Sequence, residues 1–252
     1  MAITIWEGIY KDFQENLSVG KGFDGDTWIN KLSKKLSKIL DDSKKKKAIP
    51  EIVAYKDSLL PFLAAIIVQR SGNVSILDIG GGLGIAYLQV NSALARAEDV
   101  DYHIVEKKKV CETGRKIFQN DKRIHFHTSS PRNLETDIVH MGGVLCYIKD
   151  WKAYLYKLLN YKPEYFLFTN LNAGEIPAYA TFQNYYGSKI PCWFFNIDDV
   201  TDTMKAMGFK LSFKSTYAGT YLGKEQDIPQ DNFPEKYRLK NSCSILFARD
   251  RL

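Results

Sequence analysis

Hydrophobic residues in the middle of the chain fall into short runs, separated by segments with helical spacing. The runs predict strands at residues 74–79, 101–106, 123–128, 137–142 and 164–170. The segments between them predict helices at residues 84–96, 107–119 and 150–160. Strands that alternate with helices are typical of parallel βαβ units. The pattern therefore predicts a doubly wound α/β sheet, with a ligand crevice at the carboxyl ends of its strands.

The two ends of the chain follow other patterns. The segments TWINKLSKKLSKIL and EIVAYKDSLLPFLAAIIVQR predict two helices with apolar faces. Trp6, Tyr10 and Phe13 also have helical spacing, which fits either a lid or core packing. Beyond an irregular aromatic segment, we expect a helix at residues 197–208, capped by Asn196, and two last strands at 209–219 and 241–250.

These patterns predict the domain organisation. An N-terminal helical extension or lid at residues 1–72 precedes one domain at residues 73–252, which carries an aromatic insertion near residues 173–196. The fold class is α/β, with a doubly wound, Rossmann-like sheet of seven strands. The polar loop at residues 223–241 is long enough for the last strand to run antiparallel beside its predecessor.

Composition and charge narrow the class of protein. With 45% hydrophobic and 25% charged residues, the chain has the material for a globular core. The net charge is +6, and many of the lysines lie between residues 31 and 47. That confinement favours a solvated basic helix and loop over a nucleic-acid track, so nucleic acid is not expected as a partner.

Cysteine spacing and hydropathy indicate the compartment. The four cysteines are far apart and form no CxxC pair, which indicates neither a metal site nor a disulfide framework. No uncharged apolar run reaches the roughly 18 residues of a membrane span. We therefore expect a cytoplasmic protein with reduced thiols, no membrane span and no metal.

The segment SILDIGGGLGIAYLQV, residues 75–90, is the main candidate for a cofactor site. Its pattern predicts a buried strand, a glycine-rich turn and then a helix. Glycine lets a ligand approach the main chain closely. A dinucleotide fingerprint starting at Gly80 would need a third glycine at position 85, where Ile85 stands. A phosphate-binding P-loop would need Gly-Lys and then Ser or Thr, and no lysine lies nearby. Neither template fits.

The segment does match an acidic residue, a spacer and Gly-x-Gly-x-Gly, from Asp78 to Gly84. This resembles the first motif of the class I S-adenosylmethionine-dependent methyltransferases. The resemblance implies S-adenosyl-L-methionine as cofactor and S-adenosyl-L-homocysteine as product. It also implies that Asp78 orients the turn or receives the cofactor's ammonium group. Glu106, at the end of the next strand and 22 residues after Gly84, would accept the ribose hydroxyls.

The same resemblance implies further cofactor contacts. The third strand ends in HTSS, where the family often places an acidic adenine contact, so Ser129 or Ser130 would substitute there. The implied cofactor site comprises Asp78, Gly80, Gly81, Gly82, Gly84, Glu106, Ser129, Met141 and Gly142. Many relatives carry a Glu-His pair after the fourth strand; Cys146 and Tyr147 stand there instead, so no general base is carried over.

A narrower resemblance concerns the methyl acceptor. The segments WEGIYKDFQE, GFDGDTW and ATFQNYYGSKIPCWFFN are similar to a group of uncharacterised bacterial methyltransferases, often associated with surface-polysaccharide gene clusters. This resemblance implies a small-molecule acceptor, either a saccharide or its nucleotide-linked precursor, in polysaccharide or capsule biosynthesis.

Two residues are candidates for catalysis. A hydroxyl acceptor needs a base, and the imidazole of His140 titrates in the right range, although a core histidine is an equal alternative. Tyr147 follows the fourth strand and borders the crevice. His125 and His127 alternate on one strand face, which favours a structural role.

The acceptor-binding candidates follow strand ends or lie in the aromatic segment. They are Tyr147, Asn170, Asn172, Gln183, Tyr185, Tyr186 and Trp193. Packing of the aromatic segment against the N-terminal helices is an equal alternative. The leading hypothesis is O-methylation of a small polar acceptor. The alternatives are N-methylation of a similar acceptor, a nicotinamide-dependent oxidoreductase, and a non-catalytic RNA-associated module that uses the lysines of residues 31–47.

Overall fold

The computed structural model describes residues 4–14, 17–46, 58–96 and 99–250. Its strands are β1 Trp6–Tyr10, β2 Val74–Ile79, β3 Val100–Val105, β4 Ile124–His127, β5 Ile138–Gly142, β6 Tyr165–Leu171, β7 Ala173–Gly174, β8 Tyr179–Tyr185, β9 Ser188–Asn196, β10 Phe209–Tyr217, β11 Thr220–Tyr221, β12 Lys224–Glu225 and β13 Ser242–Arg249. Its α-helices are α1 Asp26–Lys46, α2 Leu59–Ser71, α3 Ile85–Ala93, α4 Lys108–Ile117, α5 Trp151–Leu158 and α6 Ile197–Ala206.

Seven strands form the main sheet, in the order β10-β13-β6-β5-β2-β3-β4. β2 pairs in parallel with β3 and β5, and β3 pairs in parallel with β4. β13 is antiparallel to both β10 and β6. The predicted Rossmann-like sheet with an antiparallel last strand is therefore confirmed.

The chain divides into two compact units, each built from separate segments. The first unit comprises Met1–Gly22, Gly142–Leu159 and Tyr165–Leu252; the second comprises Phe23–Met141 and Asn160–Glu164. The predicted boundary between an N-terminal extension at residues 1–72 and a domain at residues 73–252 stays a prediction. Residues 51–57 of the predicted helix EIVAYKDSLLPFLAAIIVQR lie outside the described residues, and most of the remainder forms α2.

In the second unit, α1 packs by its apolar face. Leu36 is fully buried in a cluster with Leu83, which lies in the glycine-rich turn, and Val110 of α4. Two exposed ion pairs also connect the start of α1 with the start of α4. Asp24 pairs with Lys107 and Asp26 pairs with Lys109, each with 2.9 Å between Nζ and a carboxylate oxygen. The apolar face of α1 therefore packs against the glycine-rich turn at Leu83.

In the first unit, a small sheet has the order β1-β8-β9-β7. The predicted helix around Trp6 and Tyr10 is wrong: these residues form β1, which pairs antiparallel with β8. Gly8, at φ 82°, lies where the strand register shifts, and such a backbone conformation does not continue a helix. Trp6 is buried against the rings of Phe194 and Tyr221.

The aromatic segment, expected to be irregular, forms the hairpin of β8 and β9. Tyr186 and Gly187 make its two-residue turn, and both have positive φ, which matches the right-handed twist of a tight hairpin. α6 begins at the predicted cap, where the Asn196 side chain accepts hydrogen bonds from the amides of Asp198 and Asp199. No helix within the described ranges has the length and apolarity needed to cross a membrane.

Candidate functional site

The glycine-rich turn follows β2 at the carboxyl end of the strand. Gly80, Gly82 and Gly84 have φ values of 70°, 57° and 83°, a region that L side chains rarely adopt. A Cβ on Gly81 would overlap the carboxylate of Asp78, so the backbone of the turn lies directly on that side chain. Such close-packed, bare backbone is the kind of cradle that the predicted cofactor contact requires.

A buried hydrogen-bond network holds Asp78 beneath the turn. Asp78 is only 1% exposed; one oxygen accepts from the Tyr102 hydroxyl at 2.7 Å, and the other lies 2.8 Å from Nδ1 of His140. Burial, with Asp78 alongside, raises the pKa of Tyr102 well above its usual value, so its hydroxyl stays a donor. Both carboxylate oxygens are engaged, which favours the first predicted role of Asp78, orienting the turn.

Glu106 faces the same turn from the end of β3. Its carboxylate accepts a hydrogen bond from the Lys107 amide at 2.7 Å and is also bonded by the Gly82 amide. Burial raises the pKa of Glu106, while these two amides act in the opposite direction. An acidic acceptor at this place fits the predicted contact with ribose hydroxyls, and the residues present fit a bound adenosine group.

The other predicted cofactor contacts lie at the ends of β4 and β5. Ser129 is exposed two residues after β4. Met141 is buried and stands in register with Ile79, the last residue of β2, and Gly142 ends β5. The placement of all three beside strand ends is the one that the resemblance implies, and their contacts with a cofactor stay predictions.

In the first unit, the structure brings two acceptor candidates into contact. Tyr147 lies in a short turn, Leu145–Tyr147, and its hydroxyl donates to Oε1 of Gln183 at 2.5 Å. Burial raises the pKa of Tyr147 well above its usual value. At neutral pH this phenol is therefore a hydrogen-bond donor rather than a base.

The remaining acceptor candidates have separate partners. Asn170, at φ 51°, accepts a hydrogen bond from the Ser242 hydroxyl at 2.8 Å, and the backbone oxygen of Asn172 accepts from the Phe195 amide at 2.8 Å. Trp193 donates from its indole nitrogen to the Lys149 carbonyl at 3.2 Å, and its ring lies 5.6 Å from that of Phe13.

The two tyrosines at the hairpin turn differ in exposure. Tyr185 and Tyr186 have ring centroids 4.4 Å apart in an edge-to-face arrangement. Burial raises the pKa of Tyr185 to about 12, whereas Tyr186 is 48% exposed. The hairpin thus presents one open aromatic surface beside a neutral phenol.

Sequence reasoning missed Tyr102. A tyrosine in a strand is normally assigned to the core, and nothing in its local pattern shows that its hydroxyl reaches the neighbouring strand. Its position is the one feature that could have identified it: Tyr102 lies in the strand that follows the glycine motif, on the buried face of β3. A buried tyrosine there needs a polar partner, and Asp78 supplies it.

Comparison with known proteins gives one family match. The sequence profile of a family described as "Methyltransferase domain" matches residues 28–212. No curated protein matches the chain significantly.

Solved structures share the fold at low identity. One is the 1,6-didemethyltoxoflavin-N1-methyltransferase of Burkholderia thailandensis with bound 1,6-didemethyltoxoflavin and S-adenosylhomocysteine, with a TM-score of 0.50, 12% identity and 87% of each chain covered. Another, from Listeria monocytogenes, is assigned as an S-adenosylmethionine-dependent methyltransferase, with a TM-score of 0.52, 12% identity, and 77% of this chain and 100% of that one covered. The YcgJ protein of Bacillus subtilis has a TM-score of 0.51 and 10% identity, covering 77% and 99%.

Proposed function

Because this chain belongs to the methyltransferase domain family and is an S-adenosylmethionine-dependent methyltransferase, we propose that it methylates a hydroxyl oxygen of a small polar acceptor. The proposed acceptor is a surface-polysaccharide sugar or its nucleotide-linked precursor. When bound, S-adenosylmethionine would supply an electrophilic methyl group; the acceptor oxygen would bond to the methyl carbon as the carbon–sulfur bond breaks, and S-adenosylhomocysteine would leave. The chain's own residues hold the cofactor at the glycine-rich turn and Glu106, and position and deprotonate the acceptor.

One observation carries the choice of oxygen, namely the pairing of Asp78 with His140. A carboxylate accepts hydrogen bonds, so the 2.8 Å contact assigns the proton to Nδ1 of His140 and the lone pair to Nε2. His140 pairs in register with Asp78, one residue before the end of β2, and is therefore near the start of the turn. A neutral hydroxyl needs a base during methyl transfer, whereas a neutral amine does not. An oriented imidazole therefore favours oxygen as the methylated atom.

Residues of the first unit have the chemistry to bind a saccharide. The neutral phenol of Tyr147 and the amide of Gln183 offer donors and an acceptor for sugar hydroxyls. Tyr186, which is exposed, and Trp193, which is half-buried, offer flat apolar surface. This combination supports a polar acceptor with several hydroxyl groups, and the narrower sequence resemblance supports a sugar.

The role of His140 is tested by the variant His140→Gln. If His140 is the base, kcat falls about 10²- to 10⁴-fold. S-adenosylhomocysteine affinity, measured by calorimetry, stays near the wild-type value. A large loss of that affinity with a nearly unchanged kcat would instead make His140 a positioning residue for the turn.

The acceptor class is tested by incubating the enzyme and S-adenosylmethionine with a panel of nucleotide sugars and capsule intermediates. We expect S-adenosylhomocysteine release together with a methylated sugar, detected by mass spectrometry. The matched control is the deoxy analogue of any active sugar, which lacks the accepting hydroxyl and should be inert. Methylation of amino sugars alone, with loss of activity when the amine is acetylated, would support N-methylation and overturn the proposal.

A further inference from the structure

Three of the four histidines lie together on one face of two neighbouring strands. His103 on β3 pairs in register with His125 on β4, and His127 follows two residues later. Asp101 lies two residues before His103, so it shares the same face. The intervening residues, such as Tyr102 and Phe126, are buried on the opposite face. Strand alternation thus gathers three imidazoles and a carboxylate, which we call the histidine cluster.

Short distances join the members of the histidine cluster. The two oxygens of Asp101 lie 3.0 Å from Nε2 of His103 and 3.0 Å from Nε2 of His125. Nδ1 of His103 lies 3.0 Å from Nε2 of His127. The side chains of Asp101 and His125 are 52% and 42% exposed, whereas that of His103 is 12% exposed. The cluster is therefore open to solvent on one side and anchored on the other.

We propose that Asp101, His103 and His125 bind a divalent transition-metal ion of the zinc type. One ligand atom from each lies within 4.8 Å of the other two. Zinc bonds to imidazole nitrogen and carboxylate oxygen at about 2.0–2.2 Å, which places tetrahedral ligand atoms about 3.3 Å apart. The observed separations need only small side-chain movements to reach that geometry. Solvent supplies the fourth ligand on the open side.

His127 completes the proposed site without touching the ion. When Nε2 of His103 bonds to the metal, its proton lies on Nδ1, which then donates to Nε2 of His127. Without metal, the same contacts form a hydrogen-bond chain in which His103 and His125 donate to Asp101, and His127 donates to His103. The two states differ in the tautomer of His103, which is a measurable difference.

The three proposed metal ligands lie further back along their strands than the cofactor residues, whereas the backbone oxygen of His127 accepts a hydrogen bond from the Glu106 amide at 2.9 Å. Asp101 lies five residues before Glu106 on an extended strand, a distance of roughly 16 Å. The metal would join β3 to β4, which is the last strand of the sheet and only four residues long. The expected role is therefore structural, since binding would fix β4 to β3, its neighbour at the edge of the described sheet.

The test uses the full chain after removal of metal by a chelator. Titration with zinc in competition with a chromogenic chelator should show one ion per chain at micromolar affinity or tighter. Asp101→Asn and His103→Gln should abolish this binding, and His127→Gln should weaken it about 10- to 100-fold. Asp99→Asn is the matched control, because it removes the same charge two residues earlier and should bind zinc normally.

Two spectroscopic readouts identify the ligands. Cobalt in the site should give visible d–d bands without the near-ultraviolet charge-transfer band of thiolates, which separates this cluster from the four cysteines. Nitrogen-15 NMR should show the His103 proton moving from Nε2 to Nδ1 on zinc addition. Calorimetry with S-adenosylhomocysteine checks that each variant is folded.

Unchanged zinc binding in folded Asp101→Asn and His103→Gln would overturn the proposal. An absence of binding in the wild-type chain, with His103 keeping its proton on Nε2, would do the same and leave the cluster as a hydrogen-bond chain. Thermal unfolding gives an independent measure: zinc at a hundred times its Kd should raise Tm by about 5 °C or more, and only in proteins with an intact site.

Discussion

At the residue scale, Asp78 links three strands through its two oxygens. Tyr102 reaches it from β3 and His140 reaches it from β5, so the carboxylate lies where the central strands of the sheet end beneath the turn. A buried carboxylate with full hydrogen bonding is well compensated, whereas loss of one partner leaves an uncompensated acceptor. The position of Asp78 beneath the turn is therefore held by two side chains outside the glycine motif.

Tyr102→Phe removes one hydroxyl from this network and keeps the ring. We expect the free energy of unfolding to fall by about 1–3 kcal/mol, because Asp78 loses a donor at a fully buried position. Denaturant unfolding measures the change. Tyr165→Phe, in a partly buried tyrosine at the start of β6, is the control and should cost less. Equal stability of wild type and Tyr102→Phe would show that the hydrogen bond contributes nothing net.

Glu106 predicts a pH dependence of cofactor binding. Because burial raises the pKa of its carboxyl, the proton is taken up at higher pH than for an ordinary glutamate. In the proposed contact the ionised form accepts both ribose hydroxyls, so S-adenosylhomocysteine affinity should fall as pH decreases through this raised pKa.

Calorimetry with Glu106→Gln checks the pH effect. The variant should bind S-adenosylhomocysteine about 10- to 100-fold more weakly at neutral pH, since a charged acceptor is replaced by a neutral one. Its affinity should also lose the pH dependence. A variant that binds as tightly as wild type would remove Glu106 from the ribose site.

At the element scale, α1 and the glycine-rich turn share one apolar contact. Leu36 of α1 packs on Leu83 of the turn and on Val110 of α4. Leu36→Ala should lower the free energy of unfolding by about 2–5 kcal/mol through lost burial and a cavity. S-adenosylhomocysteine affinity should fall as well, because Leu83 loses its support.

The matched control for Leu36 is its exposed neighbour. Lys35→Ala should change the free energy of unfolding by less than about 0.5 kcal/mol. Denaturant unfolding and calorimetry measure both effects. If Leu36→Ala unfolded more easily but bound the cofactor product normally, α1 would stabilise the unit without shaping the turn.

The elements also show what the sequence could predict. All five central strands lie within one residue of their expected bounds, because a short apolar run between helical segments has few other solutions. β1 could not be predicted, since its partner β8 is over 170 residues away and the spacing of Trp6 and Tyr10 fits a helix equally well. The side-chain network at Asp78 was equally out of reach, because its members come from three strands.

At the scale of the whole molecule, many of the lysines lie in one segment of the sequence, residues 31–47. Lys34, Lys35 and Lys38 are exposed on α1, opposite the face that carries Leu36 and Ile39. This is the arrangement of a solvated helix face, as the sequence predicts. Charge of this kind contributes to solubility and not to the cofactor site.

Replacing Lys34, Lys35 and Lys38 by glutamine lowers the net charge from +6 by 3, to +3. We expect S-adenosylhomocysteine affinity and Tm to stay at wild-type values, since exposed substitutions usually change stability by less than about 0.5 kcal/mol. RNA binding measured at several salt concentrations should be weak in both proteins. Tight, steeply salt-dependent RNA binding that the triple variant loses would support a second, RNA-associated role.

The contact between Gly81 and Asp78 has an evolutionary consequence. A side chain at position 81 and a carboxylate at position 78 would occupy the same space. A lineage that gains even a methyl group at 81 must therefore shorten or lose the acid at 78, and then find another partner for the hydroxyl of Tyr102 and the imidazole of His140. These four positions should change together as such sequences diverge, and the covariation would record a local packing limit rather than a change of substrate.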